Sequence, residues 1–288
     1  MVESYTLVDG TEVFVLPRGG YLFPQVLTRV DADALSRLEN CAARWPFENS
    51  EVHTELKASI AENTYNAHWL ACETAFFYSL PPVSAAYALP KDLRTQGFRK
   101  YGSNGIFHQW VAEQFPAEER IVSVCLNDTL NTAALVNRRA VDTSGGYSLL
   151  ESIPGRSTCG SIDPSIVLLL AENGFSTAQV EKLLYLDSGW QATAGVQCSL
   201  ADLVRSSDNA LSLAYEILTQ NLLKAIGAML ASLGGADRIV IGGGEVGESA
   251  EFITLLRSRL SFTGVPATML EAKRKTIAEN IIHREIDV

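Results

Sequence analysis

The chain has 288 residues, of which 47% are apolar and 19% charged, and its formal net charge at pH 7 is −10. This length is sufficient for one large or two moderate domains with a sizeable core. The composition is typical of a globular protein and excludes a largely disordered one. The acidic balance argues against a nucleic-acid partner, because such a surface needs Lys and Arg to neutralise phosphates.

Three features bear on the compartment. The first six residues lack a basic stretch followed by an apolar one, so no signal peptide is predicted. The longest apolar tract, residues 225–244, is interrupted by Asp237 and Arg238, so no membrane contact is expected. Five scattered cysteines without a Cys-x-x-Cys pair are typical of reduced core thiols, which predicts a cytoplasmic protein.

The first eighty residues predict strands and helices in alternation. A strand is expected over Thr11 to Leu16, after the Asp9-Gly10 turn. Either Asp31 or Asp33 can cap a helix that ends before Pro46, because apolar residues then recur at helical spacing. A second helix is expected over 51–61 and a buried strand with its exit over 69–77, whereas 79–97, with three prolines, reads as irregular.

From Arg120 onwards the pattern changes. Short strands are predicted over 121–126, 132–136 and 139–143. Asp163 should cap a helix with Pro164 at its first position and with Ile166, Leu169 and Leu170 facing inward.

The longest helix is predicted to follow Asp208 and to end at Gly234-Gly235. A buried strand over 238–241, the Gly242-Gly243-Gly244 turn and a helix reaching about residue 260 complete the pattern. The order of strand meander, helix, strand and helix is expected for a ribonuclease-H-like half of a sugar-kinase or actin-type fold.

One segment carries a resemblance. Asp142-Thr143-Ser144 followed by Gly160, Ile162, Asp163 and Pro164 resembles a segment of acetate kinases that ends a strand with Asp-Thr-Ser and closes on Gly-Asp-Ile-Asp-Pro. The resemblance to acetate and propionate kinases extends in unbroken order over roughly residues 13–285.

This resemblance implies an α/β, actin-like kinase fold with a complete C-terminal lobe and a reduced N-terminal lobe. The expected boundaries are 1–80 for the first lobe, with the tail 272–288 packing on it, and 81–271 for the second. In the family, two lobes close on ATP, Mg²⁺ and a short carboxylate, and the C-terminal lobe carries a dimer contact, so a homodimer is expected.

The resemblance also implies catalytic residues. Glu73-Thr74-Ala75-Phe76-Phe77 is similar to the family's Asp-Thr-Ala-Phe-His, which makes Glu73 a candidate acid that orients the acceptor and holds Mg²⁺; a structural acid at a strand end is the alternative. Asn104 takes the place of a histidine that steadies the transferred phosphoryl group. His108 keeps the second histidine, although a lone histidine with aromatic neighbours is more often a packed structural residue.

Two loops are candidates for nucleotide binding. Residues 125–131 lie over the family's second phosphate loop, which makes Asn127 and Asp128 candidate cofactor-binding residues. Both glycines of that loop are replaced, and Asp128 adds a negative charge where phosphates would sit. Gly242, Gly243 and Gly244 resemble the adenosine loop, since a glycine-rich turn after a buried strand can cradle an anion; a plain tight turn is the alternative.

Other family positions are altered. Val15 and Thr158 stand where the family has arginines, and Arg18 is expected to lie on the wrong side of its strand to replace the first. The family's first phosphate loop has no counterpart in this sequence, and no acid occurs within Ala272 to Arg274, where a metal-linked glutamate is expected.

Two functions follow. Loss of one stabilising group typically reduces the rate by about 10²–10³, and four such positions differ here: Val15, Asn104, Asp128 and Thr158. We therefore predict a non-catalytic, ligand-binding or regulatory homologue that contacts a nucleotide or small carboxylate. The alternative is an active ATP-dependent kinase of acetate or propionate, with ATP and Mg²⁺ as cofactors.

Overall fold

The computed structural model of the chain describes residues 2–7, 9–205, 208–244 and 250–271, together with five helical positions beyond residue 275. Within these ranges the strands are β1 Ser4–Thr6, β2 Thr11–Leu16, β3 Leu27–Arg29, β4 Ala67–Cys72, β5 Ile121–Leu126, β6 Leu130–Val136, β7 Arg139–Thr143, β8 Arg238–Gly242 and β9 Ala267–Leu270. The α-helices are α1 Ala32–Arg44, α2 Pro46–Glu62, α3 Pro82–Ala85, α4 Lys91–Thr95, α5 Gly105–Glu113, α6 Pro164–Glu172, α7 Thr177–Tyr185, α8 Gly189–Ala194, α9 Leu200–Arg205, α10 Asn209–Leu233 and α11 Ala250–Leu260.

The strands form two mixed sheets. The first has the order β1-β2-β4-β3, in which only β2 and β4 run parallel. The second has the order β7-β6-β5-β8-β9. Its antiparallel half is a meander, and the β6–β7 turn uses Asn137 and Arg138, both at positive φ, as a two-residue hairpin requires. Its other half is parallel, with β8 between β5 and β9.

Side-chain alternation along the strands divides the core into three layers. On β2, Phe14 and Leu16 pack with α1 and α2, whereas Val13 and Val15 face the space between the two sheets. On β5, Val122 and Val124 pack with α8 to α11 on the outer side of the second sheet, and Ile121 and Cys125 face the middle layer. Helix α5 fills this middle layer, so the two sheets share one continuous apolar core.

Local sequence signals explain the two clearest helices. In α1 the cap is Asp31, whose carboxylate accepts a hydrogen bond of 2.8 Å from the Ala34 amide, and Pro46 begins the next helix. In α10 the cap is Asp208, and Gly234 ends the helix at φ 65°. The buried residues of α10 include Ala214, Leu218 and Leu222, which recur every four positions and cover the outer face of the second sheet.

Several predicted boundaries were wrong. The second helix begins at Pro46 rather than at residue 51, and the segment 79–97 contains the short helices α3 and α4. The expectation that Ile166 and Leu169 face inward is wrong as well. These side chains are 48% and 58% exposed, and α6 contributes no buried residue. Apolar periodicity identified the helix but not the side on which the rest of the protein lies.

The domain division at residue 80 stays a prediction, as does the packing of the whole tail 272–288 on the first lobe. Most of that tail lies outside the described residues. Ile277 and Ile281 are described, and both belong to the middle layer, where they share an apolar cluster with Val13 of the first sheet and Val240 of the second.

The cap of α1 provides a test of this assignment. Replacing Asp31 with Ala leaves the Ala34 amide without its acceptor, so we expect a loss of about 1 kcal/mol in the free energy of unfolding. Asp33→Ala is the matched control. Asp33 forms only an exposed ion pair of 2.9 Å with Arg37, and its removal should change stability by no more than about 0.5 kcal/mol. Urea denaturation would measure both variants, and a larger loss in Asp33→Ala would contradict the assigned cap.

Candidate functional site

The candidate residues meet at the carboxyl ends of β5 and β8. These strands are parallel and adjacent, with Cys125 opposite Gly242, so the loops that follow them start side by side. The Gly244 amide donates a hydrogen bond of 2.7 Å to Asn127 Oδ1. Two segments more than a hundred residues apart in sequence are thereby joined.

Three asparagines extend this contact into a buried hydrogen-bond network. Asn127 Nδ2 donates to Asn104 Oδ1 at 3.1 Å, and Asn104 Nδ2 donates to Asn131 Oδ1 at 2.9 Å. Asn131 Nδ2 in turn donates to the Ser103 carbonyl at 2.6 Å. Asn104 also stands at the N-cap of α5 with φ 53°, a left-handed conformation that asparagine tolerates better than most residues. The amide groups of the loops are therefore directed at one another.

His108 lies at the inner end of this network and is fully buried. Its Nε2 lies 3.2 Å from Asn131 Oδ1 and its Nδ1 lies 2.7 Å from Ser123 Oγ. Burial lowers the pKa of His108 from 6.5 to about 4, against the smaller opposing effect of the Asn131 bond. The ring is thus neutral at pH 7, with Nε2 donating and Nδ1 accepting. Phe77 and Phe107 contact it edge-on.

Glu73 lies just beyond β4 and is only 3% exposed. Its Oε2 accepts a hydrogen bond of 2.9 Å from the Ile106 amide, in the first turn of α5. A carboxylate in this position satisfies an otherwise unpaired amide and interacts favourably with the helix dipole. The arrangement is that of a helix cap, and the role of Glu73 as an acid that orients the acceptor and holds Mg²⁺ stays a prediction.

Asp128 differs from its neighbours because its side chain is 81% exposed. Its Oδ1 lies 3.1 Å from Arg156 Nε, and the Arg156 guanidinium lies 5.6 Å from the centre of the buried Trp190 ring. The charge that Asp128 brings to the loop is therefore compensated. Its partner lies 28 residues away in sequence, so the pairing could not be anticipated from the loop alone.

Among the atoms of the described residues, only Gly244 of the three glycines leaves room for a side chain. A Cβ on Gly242 would lie 2.8 Å from the Leu270 carbonyl oxygen, and one on Gly243, at φ 116°, would lie 2.6 Å from that of Leu126. A Cβ on Gly244 would approach Asn127 Oδ1 no closer than 3.6 Å. The first two glycines thus serve the close approach of neighbouring backbones, and Gly244 is the exposed one.

The two positions where the family has arginines hold Val15 and Thr158. Val15 packs in the middle apolar layer. Thr158 is buried, and its hydroxyl accepts a hydrogen bond of 3.2 Å from the Gly155 amide. Arg18, just beyond β2, is fully buried, and its Nη1 donates to the Gly102 and Gly146 carbonyls.

The residues present do not fit a resident Mg²⁺ at Glu73. Among the described residues no group of three or more His, Cys, Asp or Glu side chains could hold a metal ion. The Glu73 carboxylate is directed at the start of α5, and the region Ala272 to Arg274 lies outside the described residues. Within the described part of the chain, none of the helices combines the length and apolar character that a bilayer span requires.

Comparison with solved structures defines the fold. The chain matches a propionate kinase from Francisella tularensis with a TM-score of 0.84 at 22% identity, covering 92% of this chain and 76% of that one. It matches an acetate kinase from Entamoeba histolytica with a TM-score of 0.83 at 18% identity, covering 95% and 79%. The architecture is therefore the α/β, actin-like kinase fold, as predicted.

Comparison of sequences defines the family. The chain is 34% identical over 193 residues to an acetate kinase from Rhodopseudomonas palustris, covering 64% of this chain and 48% of that protein. It is 32% identical over 243 residues to one from Corynebacterium jeikeium, covering 81% and 60%. The chain thus spans about half the length of such relatives. Since the acetokinase family model matches residues 16–285, the chain belongs to the acetokinase family.

Sequence reasoning missed two members of the site. Asn131 is the acceptor that joins Asn104 to His108, and Arg156 neutralises Asp128. The hairpin register could have indicated Asn131, because its partner across the strands is Cys125, directly before the loop. No local signal connects Arg156 with Asp128.

The buried neutral His108 should make stability depend on pH. Its pKa is about 4 in the folded state and about 6.5 in the unfolded chain, so only the unfolded state gains a proton as pH falls between these values. We expect this residue to lower the free energy of unfolding by on the order of 3 kcal/mol from pH 7 to pH 4.

Urea denaturation of the wild type and His108→Gln across this range would measure the difference, and His53→Gln on α2 is the control. Imidazole NMR signals of His108 that titrate near pH 6.5 would contradict the assignment.

Proposed function

We propose that this chain is a non-phosphorylating member of the acetokinase family that binds a ligand or regulates a partner. The observation that carries the proposal is the closed hydrogen-bond network at the ends of β5 and β8. There, hydrogen bonds link each member of the network to the next, in the order Gly244, Asn127, Asn104, Asn131 and His108.

Phosphoryl transfer requires groups that stabilise charge on the transferring oxygens. Cationic side chains and free N–H donors supply this stabilisation, and its loss at a single position typically reduces the rate by about 10²–10³. Here the buried network is neutral, because its members are amides and an unprotonated imidazole. Redirecting one of these donors to a phosphate would break a buried hydrogen bond and leave a buried acceptor unpaired, at a cost of about 1–3 kcal/mol.

The ligand that this arrangement favours is a nucleoside or a weakly held nucleotide. Gly244 is exposed and follows a buried strand, and within the described ranges only Asn127 comes within 4 Å of a Cβ placed there, which leaves room for a planar or anionic group. A small carboxylate is the other class that family membership supports. The described cysteines are all free thiols, in keeping with a cytoplasmic location, and a homodimer remains part of the proposal.

An active acetate or propionate kinase is the second candidate. One observation favours it: Arg156 removes the electrostatic objection that Asp128 alone would raise, and it places a half-buried guanidinium beside the candidate phosphate loop. Under this candidate, Arg156 would be available to a phosphoryl group once Asp128 released it.

A coupled assay with ATP–Mg²⁺ and either acetate or propionate distinguishes the two candidates. The first predicts turnover below about 1 s⁻¹, the low end for typical enzymes, and no difference between the wild type and Arg156→Gln. Turnover above that rate that is lost in Arg156→Gln would establish the second candidate and overturn the first. Circular dichroism of both proteins would verify that they are folded.

Calorimetric titration with ADP and with ATP–Mg²⁺ tests the nucleotide proposal. Gly244→Val should abolish the signal, because its side chain projects into the space beside Asn127. Gly243→Val is unsuitable, since strain against Leu126 would disturb the strand itself. Asp128→Gly should strengthen binding by removing the negative charge from the loop. Unchanged binding in Gly244→Val would show that the loop is only a turn.

A further inference from the structure

Arg18 and Glu48 are two buried ionic side chains in the layer that contains the first sheet with α1 and α2. Arg18 follows β2 and is fully buried, and Glu48, in the first turn of α2, is 7% exposed. Asn49 fixes the backbone of Arg18 on both sides: its Oδ1 accepts from the Arg18 amide at 3.1 Å and its Nδ2 donates to the Arg18 carbonyl at 2.8 Å.

Each of the two side chains forms hydrogen bonds, through one part of its polar group, with residues outside this layer. Arg18 Nη1 donates to the Gly102 carbonyl at 2.7 Å and to the Gly146 carbonyl at 3.2 Å. Glu48 Oε1 accepts from the Tyr185 hydroxyl at 2.8 Å and from the Leu149 amide at 3.3 Å. Four bonds therefore join the first layer to the loops and to α7.

The other half of each group has no partner among the described residues. These atoms are Arg18 Nε and Nη2, which form one edge of the guanidinium, and Glu48 Oε2. All three are buried, so they cannot be satisfied by bulk solvent, and each would cost about 1–3 kcal/mol if left unpaired.

Glu48 is also the counter-charge that Arg18 feels most strongly. Burial lowers the pKa of Arg18, and among the charged groups that oppose this effect Glu48 has the largest influence. Geometry places the two groups together: Asn49, next to Glu48 in α2, bonds to the backbone of Arg18, and the Gly146 carbonyl and Leu149 amide that the two side chains contact are three positions apart.

We propose that one internal water molecule bridges the Nε–Nη2 edge of Arg18 and Glu48 Oε2, and that this bridged pair locks the two layers together without a nucleotide. The bridging group must accept from Arg18 and donate to Glu48. Water does both and gains three partners, the usual number for an internal water. A small anion would suit Arg18 but would repel Glu48, and a cation would do the opposite.

Neighbouring side chains also join the first layer to residues outside it. Arg44 donates from Nη2 to the Gln96 carbonyl at 3.0 Å, and its guanidinium lies within 5.4 Å of the ring centres of Tyr147 and Phe98. Phe47 stacks on Tyr185 at 4.9 Å with the rings parallel. This lock is independent of the proposed function, because it requires neither nucleotide nor catalysis.

A double-mutant cycle with Arg18→Met and Glu48→Gln tests the bridge. Each single substitution leaves a buried group of the other residue without its compensation, so we expect the effect of Glu48→Gln on the unfolding equilibrium constant to be at least about 10-fold smaller in the Arg18→Met background. Arg259→Met with Glu216→Gln, an exposed ion pair, is the matched control and should be additive. Additivity at Arg18 and Glu48 would overturn the proposal.

Two further measurements keep the test decisive if Arg18→Met fails to fold. Hydrogen exchange of the Leu149 amide should become at least about 10-fold faster in Glu48→Gln, while the amides of β8 should be unaffected. A crystal structure of the wild type should place one water within hydrogen-bond distance of all three atoms. A direct Arg18–Glu48 contact or a larger occupant would overturn the water bridge.

Discussion

The parallel pairing of β5 with β8 is the constraint on which the candidate site depends. It aligns two strands separated by more than a hundred residues so that Asn127 and Gly244 leave the sheet at the same edge. In the antiparallel β5–β6 hairpin, Asn131 pairs with Cys125, so it lies next to the same loop. Since α5 packs against the inner face of this sheet, Asn104 and His108 reach the loops from the middle layer.

This arrangement concentrates neutral amides at the candidate site. Arg18 Nη1 bonds to two backbone carbonyls, and Arg156 forms an ion pair with Asp128. Preorganised electrostatic stabilisation requires donors that stay directed at the reacting oxygens and need no rearrangement during reaction. The donors of the asparagine network are directed at protein acceptors, and these bonds stabilise the folded structure.

Sequence reasoning succeeded where the determining signals were local. The cap of α1 at Asp31 or Asp33, the cap of α10 at Asp208 and its end at Gly234 all follow from residues within a few positions of each other. The fold and the family were predicted from the order of the motifs. A long series of incompletely matching motifs remains specific when all of them occur along the chain in the family's order.

It was wrong where the outcome depends on distant packing. The apolar residues of α6 gave the helix but not its exposed orientation, and the charge of Asp128 could not be judged without Arg156. The roles of Glu73, Asn104 and His108, the lobe boundary and the homodimer stay predictions. Glu73 and His108 are buried and bonded to residues distant in sequence, so their contacts could not be predicted from the residues next to them.

The exposed apolar side of α6 has a thermodynamic consequence. Ile166, Leu168 and Leu169 keep between 48% and 64% of their surface in water, and ordered hydration of such surface raises the heat capacity of the free chain. Any contact that covers this helix will therefore be accompanied by a fall in heat capacity. It will also be strengthened by sulfate, which is excluded from protein surfaces, and weakened by cooling, the opposite of what a contact dominated by hydrogen bonds would show.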